Sequence, residues 1–132
     1  MTLKELSQLY YLNREIERDR ERLERLRARA AAPGAPNYDD MPKSPGFENR
    51  LERYIAEIVE LEAIIQAKII QCLNERGRLE RYISDIPDSL TRQIFALRFI
   101  KGMSWRQVAF SVGGGNTEDS VKKIAYRFLD KN

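Results

Sequence analysis

Residues 104–129 read SWRQVAFSVGGGNTEDSVKKIAYRFL: two short amphipathic stretches on either side of three glycines. In the first, Ser104 is followed three residues later by Gln107, the reciprocal spacing that satisfies two helix-start amides. Trp105, Val108, Ala109 and Val112 give it one apolar face. In the second, Asn116 or Thr117 supplies an N-cap, and Glu118 and Asp119 in the first turn suit the helix dipole. Val121, Ile124, Ala125 and Phe128 recur at helical spacing, which turns Glu118, Asp119, Ser120, Lys122, Lys123, Tyr126 and Arg127 outward. A phosphate-cradling glycine loop follows a β-strand and needs a sheet around it. Here the glycines follow a helix and no strand pattern occurs in the chain, so they read as a turn that can take positive φ between two helices. Helix, glycine turn and a lysine-bearing second helix describe a helix-turn-helix.

Working outward, DSLTRQIFALRFI at 88–100 predicts a third short helix, capped by Asp88 or Ser89 beyond Pro87, with Leu90, Ile94, Leu97 and Phe99 inward. Further upstream the texture is different. From residue 3 to 30 there is no glycine or proline, and Leu9, Leu12, Ile16, Leu23, Leu26 and Ala30 keep a heptad spacing in which Asp19 fills the one vacant slot. Around it Arg and Glu interleave, as in the pair Glu21 and Arg25, so the arginine run reads as a solvated helix face and not as a nucleic-acid stripe. Residues 33–47 hold four of the five prolines and read as a connecting loop.

A second heptad pattern follows through Leu51, Ile55, Ile58, Ile65, Ile69, Cys72, Leu79 and Ile83, with Glu62 and Arg76 in polar slots and Leu61 adjoining the first. Gly77 interrupts it at a cost near 1 kcal/mol relative to alanine, and Pro87 stops it by Asp85 or Ile86. Neither stripe can be buried alone, so the two helices are expected to fold back as an antiparallel pair, and pairing with a second copy is left open. Cys72 on the seam reads as a small buried hydrophobe. The expected fold is all-α: a helical hairpin over 1–86 (helices about 2–32 and 48–85) and a helix-turn-helix domain over 87–132.

Composition narrows the function. The 132 residues contain 23 basic and 20 acidic side chains, and from Asp88 onward eight basic residues stand against four acidic ones, so the basic excess lies in the last third. There is no histidine and one cysteine, which disfavours catalytic triads, zinc clusters and internal disulfides. No catalytic residue, metal or cofactor is expected, and the chain reads as non-enzymatic. No apolar run approaches a membrane span and the N-terminus lacks a signal-peptide core, so a cytoplasmic location with no membrane partner is expected.

The stretch IPDSLTRQIFALRFIKGMSWRQVAFSV…SVKKIAYRFL resembles the C-terminal DNA-binding region 4 of bacterial sigma factors, with Pro87, Arg98, Phe99, Gly102, Ser104, Val108, Ala109, Gly113, Val121, Lys122 and Arg127 at matching positions. With the hairpin before it, the chain is similar to small region-4-like proteins of phages and prophages of Gram-positive bacteria, usually regarded as transcriptional regulators. Here the turn is about two residues longer than the family's, and Glu118 and Asp119 stand where the family often has arginine or a small residue. The resemblance implies that the last helix reads double-stranded DNA in the major groove. Thr117, Glu118, Ser120, Lys122 and Lys123 then lie near base edges, with Lys101, Arg106, Tyr126 and Arg127 toward phosphates. RNA polymerase is a second implied partner. Two alternatives use the same helices: a phage DNA-packaging protein of small-terminase type, and an adaptor that contacts polymerase or a sigma factor.

Overall fold

The computed structural model describes residues 1–32 and 45–131, and the side chains of all of these except 45–48. Among the described residues all regular structure is helical. In chain order the helices are α1 (Leu3–Leu6), α2 (Gln8–Ala31), α3 (Pro45–Ser84), α4 (Ser89–Phe95, continued by a π-helical turn over Ala96–Ile100), α5 (Trp105–Val112) and α6 (Glu118–Lys131). The expected connection over 33–47 falls outside the described residues as far as position 44. Its last three residues are helical, because α3 starts at Pro45. A proline fits a first helical position, since its missing N–H has no partner there to lose.

The chain forms two compact units, Met1–Asn13 with Gln71–Asn132, and Arg14–Ile70. In the second unit α2 and α3 run antiparallel: Lys68 Nζ reaches Asp19 Oδ2 at 2.6 Å, and Arg27 Nη2 reaches Glu62 Oε1 at 3.0 Å. Ile16, Leu23 and Leu26 on α2 and Leu61 and Ile65 on α3 are buried. The vacant slot at Asp19 is therefore closed by a lysine from the opposite helix. That hydrogen bond raises the Lys68 pKa against the lowering effect of its desolvation.

The α3 seam differs in phase from its sequence reading. Leu61, with Lys68 beside Asp19, faces α2, whereas Glu62 is an exposed edge residue paired with Arg27. Ile55, expected in the seam, is 50% exposed. The physical reason is that α3 carries apolar residues on two faces, so more than one heptad frame fits its sequence. Glu21 and Arg25, expected to pair, are both exposed and do not meet, while Arg14 with Glu17 and Arg27 with Glu24 do.

In the first unit Thr2 caps α1 by accepting from Glu5 N, and Ser7 Oγ donates back to Leu3 O at 2.9 Å. Ser7, between α1 and α2, also keeps its backbone bonds, Ser7 N donating to Leu3 O at 3.0 Å and Tyr11 N to Ser7 O at 3.3 Å. Leu6, Leu9, Leu12, Cys72, Leu79 and Ile83 are buried, and Cys72 Sγ lies 3.7 Å from Asn13 Oδ1. α3 runs through Gly77 and ends at Ser84, ahead of Pro87.

Truncation of a buried leucine or isoleucine costs about 2–5 kcal/mol, against about 0–1 for an exposed ion pair. Thermal unfolding followed by circular dichroism is expected to show a far larger drop for Leu23→Ala or Ile65→Ala than for Arg22→Ala or Arg25→Ala. Equal losses would refute the seam.

Candidate nucleic-acid interface

The last helices are set by local chemistry at each boundary. Asp88 Oδ2 accepts from Thr91 N at 3.0 Å and from Thr91 Oγ1 at 2.7 Å, fixing the start of α4. These two hydrogen bonds hold the Asp88 carboxyl below the usual carboxylate range. Arg92 Nη1 donates to Ile86 O at 2.7 Å and to Pro87 O at 3.0 Å, satisfying carbonyls of the segment between α3 and α4.

At its far end α4 widens. Lys101 N donates to Ala96 O at 3.1 Å, five residues back, the signature of a π-helical turn. Thr91, Ile94 and Phe95, spaced i, i+3 and i+4 along α4, are buried on one face, and Phe99 is buried within the π-helical turn. The sequence pattern places Ile94 and Phe99 inward with Leu90 and Leu97, which are half-buried, and misses Phe95, which is 0% exposed.

An aromatic chain then fixes α5 and α6. Phe95 makes edge contacts with Phe99 (centroids 5.3 Å apart) and with Phe128 of α6 (5.4 Å). Phe99 meets Trp105 at 6.3 Å, and Trp105 meets Tyr126 at 5.9 Å. The Arg98 guanidinium lies over the Trp105 ring, 4.6 Å from its centroid, while Nη1 donates to Met103 O. Arg98 is thus a structural clamp on the turn before α5.

Helix α5 opens with the expected capping box: Gln107 N donates to Ser104 Oγ at 3.2 Å and Ser104 N to Gln107 Oε1 at 2.9 Å. Trp105, Val108 and Ala109 are buried beneath it. Gly113, Gly114 and Gly115 all have positive φ, with Gly113 at φ 63°, ψ −145°, a region open essentially to glycine alone. Asn116 then donates twice to Gly113 O, from its backbone N at 3.1 Å and from Nδ2 at 2.8 Å. α5, this turn and α6 form a helix-turn-helix.

The start of α6 uses two hydroxyls assigned from sequence to base contact. Thr117 N donates to Ser120 Oγ at 2.9 Å and Ser120 N to Thr117 Oγ1 at 3.1 Å, a reciprocal cap built from Thr and Ser in place of Ser and Gln. Ser120 Oγ is also 3.3 Å from Asn116 Oδ1. Thr117 and Ser120 therefore act first on the helix start, and Ser120 is half-buried.

Lys122 Nζ pairs with Glu118 Oε1 at 3.4 Å, one turn away, so each partly cancels the other's field. Tyr126 has its ring against Trp105 and remains 41% exposed. Lys123 and Arg127 on α6, Arg106 on α5 and Lys101 before it are exposed, and among the described residues none of these four is in an ion pair. The structure thus sorts the nine candidates. Four are open cations, two form an internal pair, two are caps and one is an aromatic prop with an exposed edge.

Beyond the nine candidates, this surface carries an exposed aromatic side chain. Phe110 on α5 is 89% exposed and borders a shallow groove with Met103, Arg106, Gln107 and Ser111. Its position outside the Trp105, Val108, Ala109, Val112 face was the available signal. Among the described residues no cluster of His, Cys, Asp or Glu is arranged to hold a metal ion, and no helix is long and apolar enough to cross a membrane. Comparison with protein-family models, curated proteins and solved structures gives no match.

The glycine turn supplies a sharp check. Alanine at Gly113 meets nothing within 4 Å, so its cost is backbone strain alone, about 1–3 kcal/mol. Alanine at helical Gly77 meets Arg81 Nη1 at 3.5 Å, an ordinary contact, and is expected to gain about 1 kcal/mol of helix propensity. Melting curves of Gly113→Ala and Gly77→Ala are expected to shift in opposite directions; a neutral Gly113→Ala would contradict the turn geometry.

Proposed function

We propose that the chain is a sequence-specific regulator of transcription that binds double-stranded DNA with α6 in the major groove. The observation that carries this reading is a helix-turn-helix whose α6 presents the open cations Lys123 and Arg127 while its apolar face is locked by Phe95 and Trp105. A rigidly held helix with solvated cations is what groove entry requires, because phosphate contacts position the reader and base contacts specify the site. The likeness of the sequence to sigma region 4 supports the same reading and suggests a cytoplasmic, phage- or prophage-related regulator in a bacterial host. In this reading the hairpin carries pairing between two copies, and the protein has no catalytic role.

A second reading has its own observation. The exposed Phe110 beside Met103 is unsuited to a phosphate surface and favours contact with protein, as in an adaptor for polymerase or a sigma factor. DNA binding separates the two. Fluorescence anisotropy with duplex fragments from around the chain's own gene, and with mixed-sequence duplex, is expected to give log affinity falling linearly with log salt. Lys123→Ala and Arg127→Ala are each expected to weaken binding and to lower the slope by about one. Lys122→Ala is expected to act less, because Glu118 already neutralises it. Glu118→Gln is expected to raise affinity for all DNA by releasing Lys122. Loss of discrimination at one base pair, by about 1–3 kcal/mol, would instead make Glu118 a cytosine reader. Affinity unchanged by the Lys123 and Arg127 substitutions together would move the function to the adaptor.

A further inference from the structure

Helix α3 carries more apolar surface than α2 covers. Val59 is 62% exposed, Ile70 54% and Ile55 50%, although Leu61 and Ile65 of the same helix are buried. At 100° per residue, Val59 and Ile70 point within about 20° of one another and roughly opposite Leu61. Ala56, Val59, Ala63, Gln66 and Ile70 step by three and four in alternation, a second heptad seam that shares the helix with the first. The face is free of charge. Of the acids and bases between Ile55 and Ile70, Glu62 and Lys68 are held by Arg27 and Asp19 of α2, and Glu57 and Glu60 fall outside the seam.

We propose that this face of α3, from Ile55 to Ile70, is a docking surface for the antiparallel α3 of a second copy of the chain. It takes from the preceding section only the idea of pairing through the hairpin and does not depend on DNA binding.

Three features select a second copy running in that direction. The pattern is self-complementary: about a two-fold axis midway between Ala63 and Gln66, Val59 of one copy faces Ile70 of the other, and Ala63 faces Gln66. Each layer then joins side chains that fill one another's space, as an isologous interface demands. Charge decides direction. In the antiparallel pair the two Glu60 carboxylates stand nine positions apart along the axis, about 14 Å, and the two Glu62 carboxylates five positions apart, about 8 Å, each paired with its own Arg27. A parallel, in-register pair would set Glu60 of one copy close to Glu62 of the other at nearly one level. Finally, Gln66 is the only polar residue among the five seam positions, and one polar residue in an apolar seam fixes register at some cost in affinity.

The test uses the full chain and no DNA. Sedimentation equilibrium up to about 100 µM is expected to show a monomer–dimer equilibrium, as suits a short seam. Val59→Glu is expected to give monomer with unchanged helicity and melting, and Gln66→Leu to tighten the dimer by about tenfold. Mild oxidation of a mixture of Val59→Cys and Ile70→Cys chains is expected to link the two kinds to each other, with buried Cys72 inert. A parent chain monomeric throughout, or a dimer that survives Val59→Glu, would overturn the surface. Self-linking of Val59→Cys alone would overturn the antiparallel pairing. Should Val59→Glu fail to fold, Gln66→Leu and the cross-link decide.

Discussion

Phe95 is the contact on which the placement of α5 and α6 depends. Fully buried, it meets Phe99 of its own widened helix, Phe128 of α6 and, at 6.5 Å, Tyr82 near the end of α3. Aromatic edge contacts contribute about 0.5–1.5 kcal/mol each beyond area burial and are directional, so one side chain sets both the depth and the angle at which α6 is held. Trp105 repeats the arrangement from α5, between Phe99 and Tyr126, with Arg98 clamped over its face. The outward residues of α6 need no contacts of their own to be positioned.

Polar groups at helix ends do the remaining work of definition. Asp88, Ser104 with Gln107, and Thr117 with Ser120 each occupy amides that would otherwise be orphaned at a helix start, while Asn116 donates to the Gly113 carbonyl beyond the end of α5. Short helices gain most from such caps, because each has few internal hydrogen bonds. The same economy explains why the hydroxyls at the start of α6 are committed to the backbone while the cations further along remain open.

The all-α class, the capping box at Ser104 and the turn character of the glycines were legible from residue types, because each depends on spacing within a few positions. Leu9, Leu12, Ile16, Leu23 and Leu26 were legible for the same reason, and all are buried. What was illegible depends on partners distant in sequence or on phase. Phe95 shares the buried face of Thr91 and Ile94 on α4, and its partner Phe128 lies on α6, far beyond any local spacing. The Asp19–Lys68 bridge needs the register of two helices. Sequence spacing puts Ile55 in the seam, yet it is exposed, because α3 supports two apolar frames and sequence alone does not say which one α2 covers. At the candidate interface the sequence located the cations, but it could not separate the paired Lys122 from the open Lys123.

The central proposal is that the outer face of α6 meets DNA. Amide chemical-shift mapping of the full chain, titrated with a duplex from its own gene region, tests this most directly. The expected result is perturbation concentrated at Glu118–Arg127 and at Arg106, fading as salt is raised. Shifts confined to Met103 and Phe110, or none at any salt, would contradict it.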